Sequence, residues 1–161
     1  FMIKKRIKIP KPDKIPLSQE SIEEKQAELN RLVMLRKEVM KRLIIAREMG
    51  DLSENGAYSA AKVELGGIGR QMRQLKYILT NAYVPEVSKE QTAGFGKKIT
   101  IKNKKTTLVF TLVGQYESDV SENKFSLESP IGQAVIGKKI GDEVVVVSPK
   151  GKIYYTIESV F

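Results

Sequence analysis

The 161-residue chain contains no cysteine, no histidine and no tryptophan. Without thiols or imidazoles it has no cysteine nucleophile, no histidine general base and none of the usual zinc or iron ligands, so any metal it engages is a hard ion held by oxygen. Long apolar runs are missing too: stretches such as Val144 to Val147 fall far short of the roughly 20 apolar residues that cross a bilayer. The basic start is not followed by the apolar segment of a signal peptide. These absences predict a cytoplasmic protein with no membrane partner. At 41% hydrophobic residues the chain still has enough apolar material for one or two small cores.

The net charge of +9 is unevenly placed. Lys4, Lys5, Arg6, Lys8, Lys11 and Lys14 face only Asp13 within residues 1–16, and Pro10, Pro12 and Pro16 lie among them. Such a segment cannot hold a regular helix and reads as a basic N-terminal arm, extended and, in the simplest case, merely solvated. The rest of the chain is only mildly basic, so its charge does not by itself demand a nucleic-acid surface.

From Ser18 the pattern turns helical. Ser18 and Ser21 with Glu20, Glu23 and Glu24 supply a capping hydroxyl and acidic first turns. Ile22, Leu29, Leu32, Val39, Leu43 and Ala46 fall on the seam positions of a heptad, with Lys25 and Arg36 as exceptions, and Gly50 gives the stop. A second pattern from about Glu54 places Ala61, Leu65, Ile68, Met72, Leu75, Leu79 and Ala82 at alternating spacings of four and three. So short a connection predicts an antiparallel coiled-coil hairpin over residues 17–84, a rod on the order of 48 Å with its tip at 50–55. Gly66, Gly67 and Gly69 each cost roughly 1 kcal/mol inside a helix, predicting a weak or bent segment or a close helix approach.

Pro85 ends the helical text. Residues 85–96 read as a linker, and 97–161 as a small β-rich domain with strands at Ile99–Lys102, Thr106–Val113, Lys124–Leu127, Glu143–Val147 and Ile153–Val160. One short helix is predicted within Ser129–Gly137, which opens on Ser-Pro and closes on Gly. The fold class is therefore α+β. Ile99, Val109, Leu112, Val144 and Val146 are assigned to its core.

The segment Arg47 to Asn55 sits at the reversal between the two helices. Asp51-Leu-Ser-Glu54 has the form of a capping box, with Asp51 accepting from the backbone three residues on and Glu54 reaching back. The same two carboxylates also suit Mg²⁺, which keeps several waters and takes one or two protein carboxylates together with phosphate oxygens. Such a site is incomplete alone and needs a partner.

The run Ala46-Arg-Glu-Met-Gly-Asp-Leu-Ser-Glu-Asn-Gly-Ala-Tyr-Ser-Ala-Ala-Lys62 resembles the tip signature of the bacterial Gre transcript-cleavage factors, GreA-like transcription elongation proteins. A second run, Ser129-Pro-Ile-Gly-Gln-Ala-Val-Ile-Gly-Lys-Lys-Ile-Gly-Asp-Glu143 with Ser148-Pro-Lys-Gly151, matches the same family in the same order. The resemblance implies an FKBP-like C-terminal domain that docks on RNA polymerase and a coiled coil that enters its secondary channel to act on the extruded 3′ end of backtracked nascent RNA. It maps the family's tip acids onto Asp51 and Glu54, which would help hold a second Mg²⁺ shared with the polymerase, and makes the chain an accessory factor and not a nuclease in its own right. Arg47 and Lys62 match basic positions near the RNA, against ordinary surface charge; Ser53 positions a water or solvates the turn; Asn55 and Tyr58 orient the tip or pack it. Docking is assigned to the loops around Pro130 to Gly137, with Pro130, Ile131 and Gly132 named for it, or to exposed residues of the sheet, and a monomer is expected.

The chain departs from the family pattern at Gly56-Ala57, where Ala-Glu is common, at Ser59, where His is common, and in its basic arm. Two other readings compete. One is a homologue that occupies the channel and modulates polymerase without cleavage. The other is a basic hairpin that binds DNA or RNA directly.

Overall fold

The computed structural model describes residues 14–161, so the basic arm lies outside the described residues except for its last three positions. Of those three, Lys14 is exposed, but Ile15 is buried and Pro16 half-buried. Strand β1 (Ile15–Pro16) pairs in parallel with β2 (Ala82–Tyr83), and Leu17 N–H donates to the Tyr83 carbonyl at 3.0 Å. Ile15 and Leu17 are buried with Ile78 in a small core at the base of the hairpin, because apolar side chains flanking the prolines have a helix face to cover.

Helix α1 (Gln19–Glu48) starts at Ser18, whose hydroxyl accepts from Ser21 N–H at 3.2 Å, and stops at Gly50, whose φ of +124° L side chains rarely adopt. Its 30 residues make a rod of about 45 Å. Helix α2 (Gly56–Asn81) returns alongside it. The seam forms as the heptads predict: Leu29, Leu32, Val39, Ala61, Ile68 and Leu75 are buried together, with Leu43, Leu65, Met72 and Leu79 packed on them. Each large seam side chain that is fully buried contributes about 1.5–3 kcal/mol. The Arg42–Glu64 ion pair across the helices, at 2.9 Å, is half-exposed and adds at most about 1 kcal/mol.

Of the two expectations for the glycine cluster, the close helix approach is overturned. Helix α2 runs unbroken through Gly66, Gly67 and Gly69. A Cβ there would meet only the guanidinium ends of Arg70 or Arg73, at 3.5–3.8 Å, and no atom of α1 within 4 Å. These glycines are not a close helix contact.

The second unit is a five-stranded sheet in the order β5-β4-β3-β7-β6. Its strands are β3 (Lys98–Lys102), β4 (Thr107–Val113), β5 (Lys124–Ser126), β6 (Glu143–Ser148) and β7 (Gly151–Val160). All neighbours are antiparallel except β4 and β5. Helix α3 (Pro130–Val135) packs Ile131 and Val135 against a core containing Ile99, Ile101, Phe110, Leu112, Val144 and Ile157. Val109 is corrected from core to surface. Strand side chains alternate, and with Phe110 and Leu112 in opposite phase to it Val109 points outward. The stretch 85–96, read as a linker, is partly built into this domain: Ala93 is buried, its N–H donates to Lys138 and its carbonyl accepts from Gly137, both at 2.8 Å.

The two units meet at the hairpin base. Ser18 N–H and hydroxyl both donate to the Glu117 carboxylate, and Tyr116 packs on the Ile15–Leu17–Ile78 cluster. Gly114 lies against the Pro16 carbonyl, where a Cβ would collide. Among the described residues no helix is long and apolar enough to cross a membrane.

Candidate catalytic tip

The tip is held together by Asn55. Its Oδ1 accepts from Tyr58 N–H at 3.0 Å, making Asn55 the N-cap of α2, while its Nδ2 donates to the Ala46 carbonyl at 2.5 Å in the last turns of α1. One side chain thus caps the returning helix and ties it to the outgoing one. Beneath it Ala46 and Ala61 are both buried, small enough to let the helices converge.

Asp51-Leu-Ser-Glu54 is not a capping box, contrary to the expectation from its spacing. Helix α2 begins after Asn55, leaving Asp51 and Glu54 in the turn outside it. Asp51 instead closes a local turn on Ser53: its Oδ1 accepts from Ser53 N–H at 2.9 Å and from Ser53 Oγ at 2.8 Å. These two bonds, the backbone one first, hold the Asp51 carboxyl below the ordinary aspartate value. Its other oxygen, Oδ2, has no hydrogen-bond partner among the described residues. Nor has the exposed Glu54 carboxylate, which freedom from capping leaves available.

The remaining predicted residues sit around this turn. Lys62 Nζ lies 5.4 Å from the Tyr58 ring centroid, a cation–π contact that steadies both on the first turns of α2. Arg47, exposed in the last turn of α1, and Lys62 are in no ion pair among the described residues. Met49 and Leu52 expose apolar surface beside the acids. In the proposed docking loop, Pro130 is exposed but Ile131 and Gly132 are buried, and a Cβ on Gly132 would collide with the Ser126 carbonyl. A partner reaching this loop therefore meets Pro130 and not the two residues behind it. Glu117 and Gly114, which join the hairpin to the sheet, had no sequence signal beyond an ordinary turn.

Two exposed carboxylates, each keeping oxygen without a hydrogen-bond partner among the described residues, offer Mg²⁺ the hard oxygen donors it takes, and in a number it accepts from protein. Among the described residues no group of three or more acidic side chains converges to hold a metal.

The family profile described as "Transcription elongation factor, N-terminal" matches residues 15–84, and that described as "Transcription elongation factor, GreA/GreB, C-term" matches residues 88–161. Among curated relatives, the transcription elongation factor GreA of Neorickettsia sennetsu is 38% identical over 149 residues, covering 89% of this chain and 94% of the relative. GreA of Thermosipho africanus is 39% identical over 150 residues, covering 91% and 96%. The crystal structure of GreA factor homolog 1 of Thermus thermophilus aligns over 92% of this chain and 99% of that one, at 25% identity and a TM-score of 0.44.

Proposed function

Since the chain belongs to the GreA/GreB family of transcription elongation factors, we propose that it inserts its hairpin tip into RNA polymerase and stimulates hydrolysis of backtracked nascent RNA. The observation that carries this reading is the state of the tip acids. Asp51 keeps one oxygen tied to Ser53 and one unpartnered, Glu54 is free of any capping role, and both stand at the end of a rod of 30 helical residues.

Asp51 and Glu54 are the residues that would hold a Mg²⁺ shared with the polymerase, an ion that when bound activates water and neutralises charge on the scissile phosphate. Everything else at the tip serves their placement. Ser53 fixes the Asp51 side chain, and its hydroxyl, already donating to Asp51, retains lone pairs for a water. Asn55 sets where the turn leaves α1 and enters α2. Arg47 and Lys62, in no ion pair among the described residues, supply positive charge for the phosphates of the RNA 3′ segment, and Met49 and Leu52 supply apolar contact for its bases. The net reaction is hydrolysis: water oxygen bonds to phosphorus, the ribose 3′ oxygen leaves, and a short 3′ fragment is released. The active centre is completed by the polymerase, so the chain acts as an accessory factor. The exposed Pro130 at the start of α3 is the docking element of the sheet domain, and a single copy suffices.

Adding the protein to a stalled, backtracked elongation complex with 3′-labelled RNA tests this reading. Short labelled fragments in Mg²⁺ support it; their absence while the protein is bound to polymerase refutes it.

A further inference from the structure

The sheet domain carries a second feature unrelated to the tip. An open groove of about 700 Å³ is lined by the β3–β4 turn and the first half of β7. Lys102, Lys104, Lys105 and Lys152 surround it, with Tyr154 exposed on its floor. Strand register brings them together. Lys152, Tyr154 and Thr156 alternate onto one face of β7, and Lys102 is the cross-strand partner of Thr156. The turn is rigid: Asn103 Oδ1 accepts from Lys105 N–H at 2.8 Å and Thr106 N–H at 2.7 Å, which fixes Lys104 and Lys105 at its apex.

The charge is not internally satisfied. Of the two carboxylates in the groove, Glu158 pairs with Lys102 at 3.3 Å, and Glu143 is the other. Lys104, Lys105 and Lys152 have no ion pair among the described residues. The groove is also clear of the hairpin. The β3–β4 turn is at the opposite end of the 7-residue β4 from Gly114, where the hairpin base packs, a separation of about 20 Å.

We propose that this groove binds single-stranded nucleic acid, with a base stacked on Tyr154 and phosphates met by Lys102, Lys104, Lys105 and Lys152. An exposed ring among ammonium groups suits a strand whose bases are unstacked and available, whereas a duplex would leave the ring unused. An acidic peptide would satisfy the lysines but has no planar face for the tyrosine. The cations are all lysines, point charges without the planar fork that reads base edges, so recognition is independent of sequence. Glu143 keeps the affinity moderate.

The test is fluorescence anisotropy of the full chain with a labelled oligouridylate of about 12 nucleotides, a length one such face accommodates, between about 50 and 200 mM salt. No polymerase is present, so the result is independent of the cleavage reading. Tyr154→Ala is expected to weaken binding about tenfold, while Tyr154→Phe, which keeps the ring, stays within about twofold. The double variant Lys104→Ser with Lys105→Ser is expected to lower the slope of log affinity against log salt by about 1.4. These positions are exposed, and circular dichroism verifies that the variants fold. Three results overturn the proposal: no binding at the lowest salt; binding that neither Tyr154→Ala nor the lysine pair changes, which assigns it to other basic segments; or a polyglutamate peptide that binds with the same Tyr154 dependence.

Discussion

Replacing Asn55 with Ala removes two bonds at once, and their magnitudes can be separated. Loss of the N-cap oxygen leaves Tyr58 N–H without its acceptor, costing about 1 kcal/mol. Loss of Nδ2 removes the link to the Ala46 carbonyl, worth about 0.5–1.5 kcal/mol; the low end applies, because that carbonyl also accepts from Met49 N–H. The sum is about 1.5 kcal/mol, which for a chain of this length lowers the melting temperature by roughly 3–6 °C. Asn55→Asp keeps the cap oxygen and places negative charge at a helix N-terminus, so only the second bond is lost and the cost is about a third as large. Thermal unfolding followed by far-UV circular dichroism measures the difference, and amide exchange reads it locally, with Tyr58 exchanging about tenfold faster in Asn55→Ala. The reasoning fails if Asn55→Ala melts with the wild type and Tyr58 keeps its protection, or if Asn55→Asp falls as far as Asn55→Ala.

Three further outcomes are expected. Gly66→Ala, Gly67→Ala and Gly69→Ala should each stabilise the hairpin by up to about 1 kcal/mol, seen as higher melting temperatures, because each new Cβ meets only a movable guanidinium. Ser53→Ala should raise the Asp51 carboxyl toward the ordinary aspartate value, read by carbon-detected NMR titration. In the wild type the stabilisation from the two Ser53 bonds is present above the unfolded aspartate value and is lost as pH falls through the lower folded one, so the variant loses the hydroxyl's smaller share, keeps the backbone N–H bond and leaves the neutral-pH charge unchanged. Gly132→Ala should destabilise the sheet domain by more than about 1 kcal/mol in denaturant titration, since its Cβ would collide with the backbone carbonyls of Ser126 and Leu127.

The parts of this fold legible in the sequence are those governed by a repeating burial stripe. Leu29, Leu32, Val39, Ile68 and Leu75 had to share a face if helices formed at all, and alternation placed Ile99, Leu112, Val144 and Val146 inside. What escaped depends on a partner distant in sequence. Asp51-x-x-Glu54 and Asn55-x-x-Tyr58 are both plausible helix starts, and the choice turns on the Ala46 carbonyl, which the outgoing helix presents to Asn55 only once the chain has turned back. Val109 has a core residue's chemistry, but its phase is set by Phe110 and Leu112. Ala93 and Ile15 lie in stretches whose composition reads as linker and arm; each is buried because a helix–turn segment or a helix base offers it apolar surface. That Asp51 and Glu54 stand at the reversal between the helices was legible, while the reason they are free of capping, that α2 starts after Asn55, was not.

The central claim is that the tip carboxylates act in cleavage and not in folding or binding. It is tested most directly by comparing wild type with Asp51→Asn and Glu54→Gln on one backtracked elongation complex, measuring RNA fragment release and polymerase affinity together. The account predicts that each variant binds polymerase and melts like the wild type, yet releases fragments at least about tenfold to a hundredfold more slowly, the loss that even outer-shell partners of a metal produce. Undiminished cleavage by Asp51→Asn, or cleavage lost only in proportion to lost binding, would contradict it.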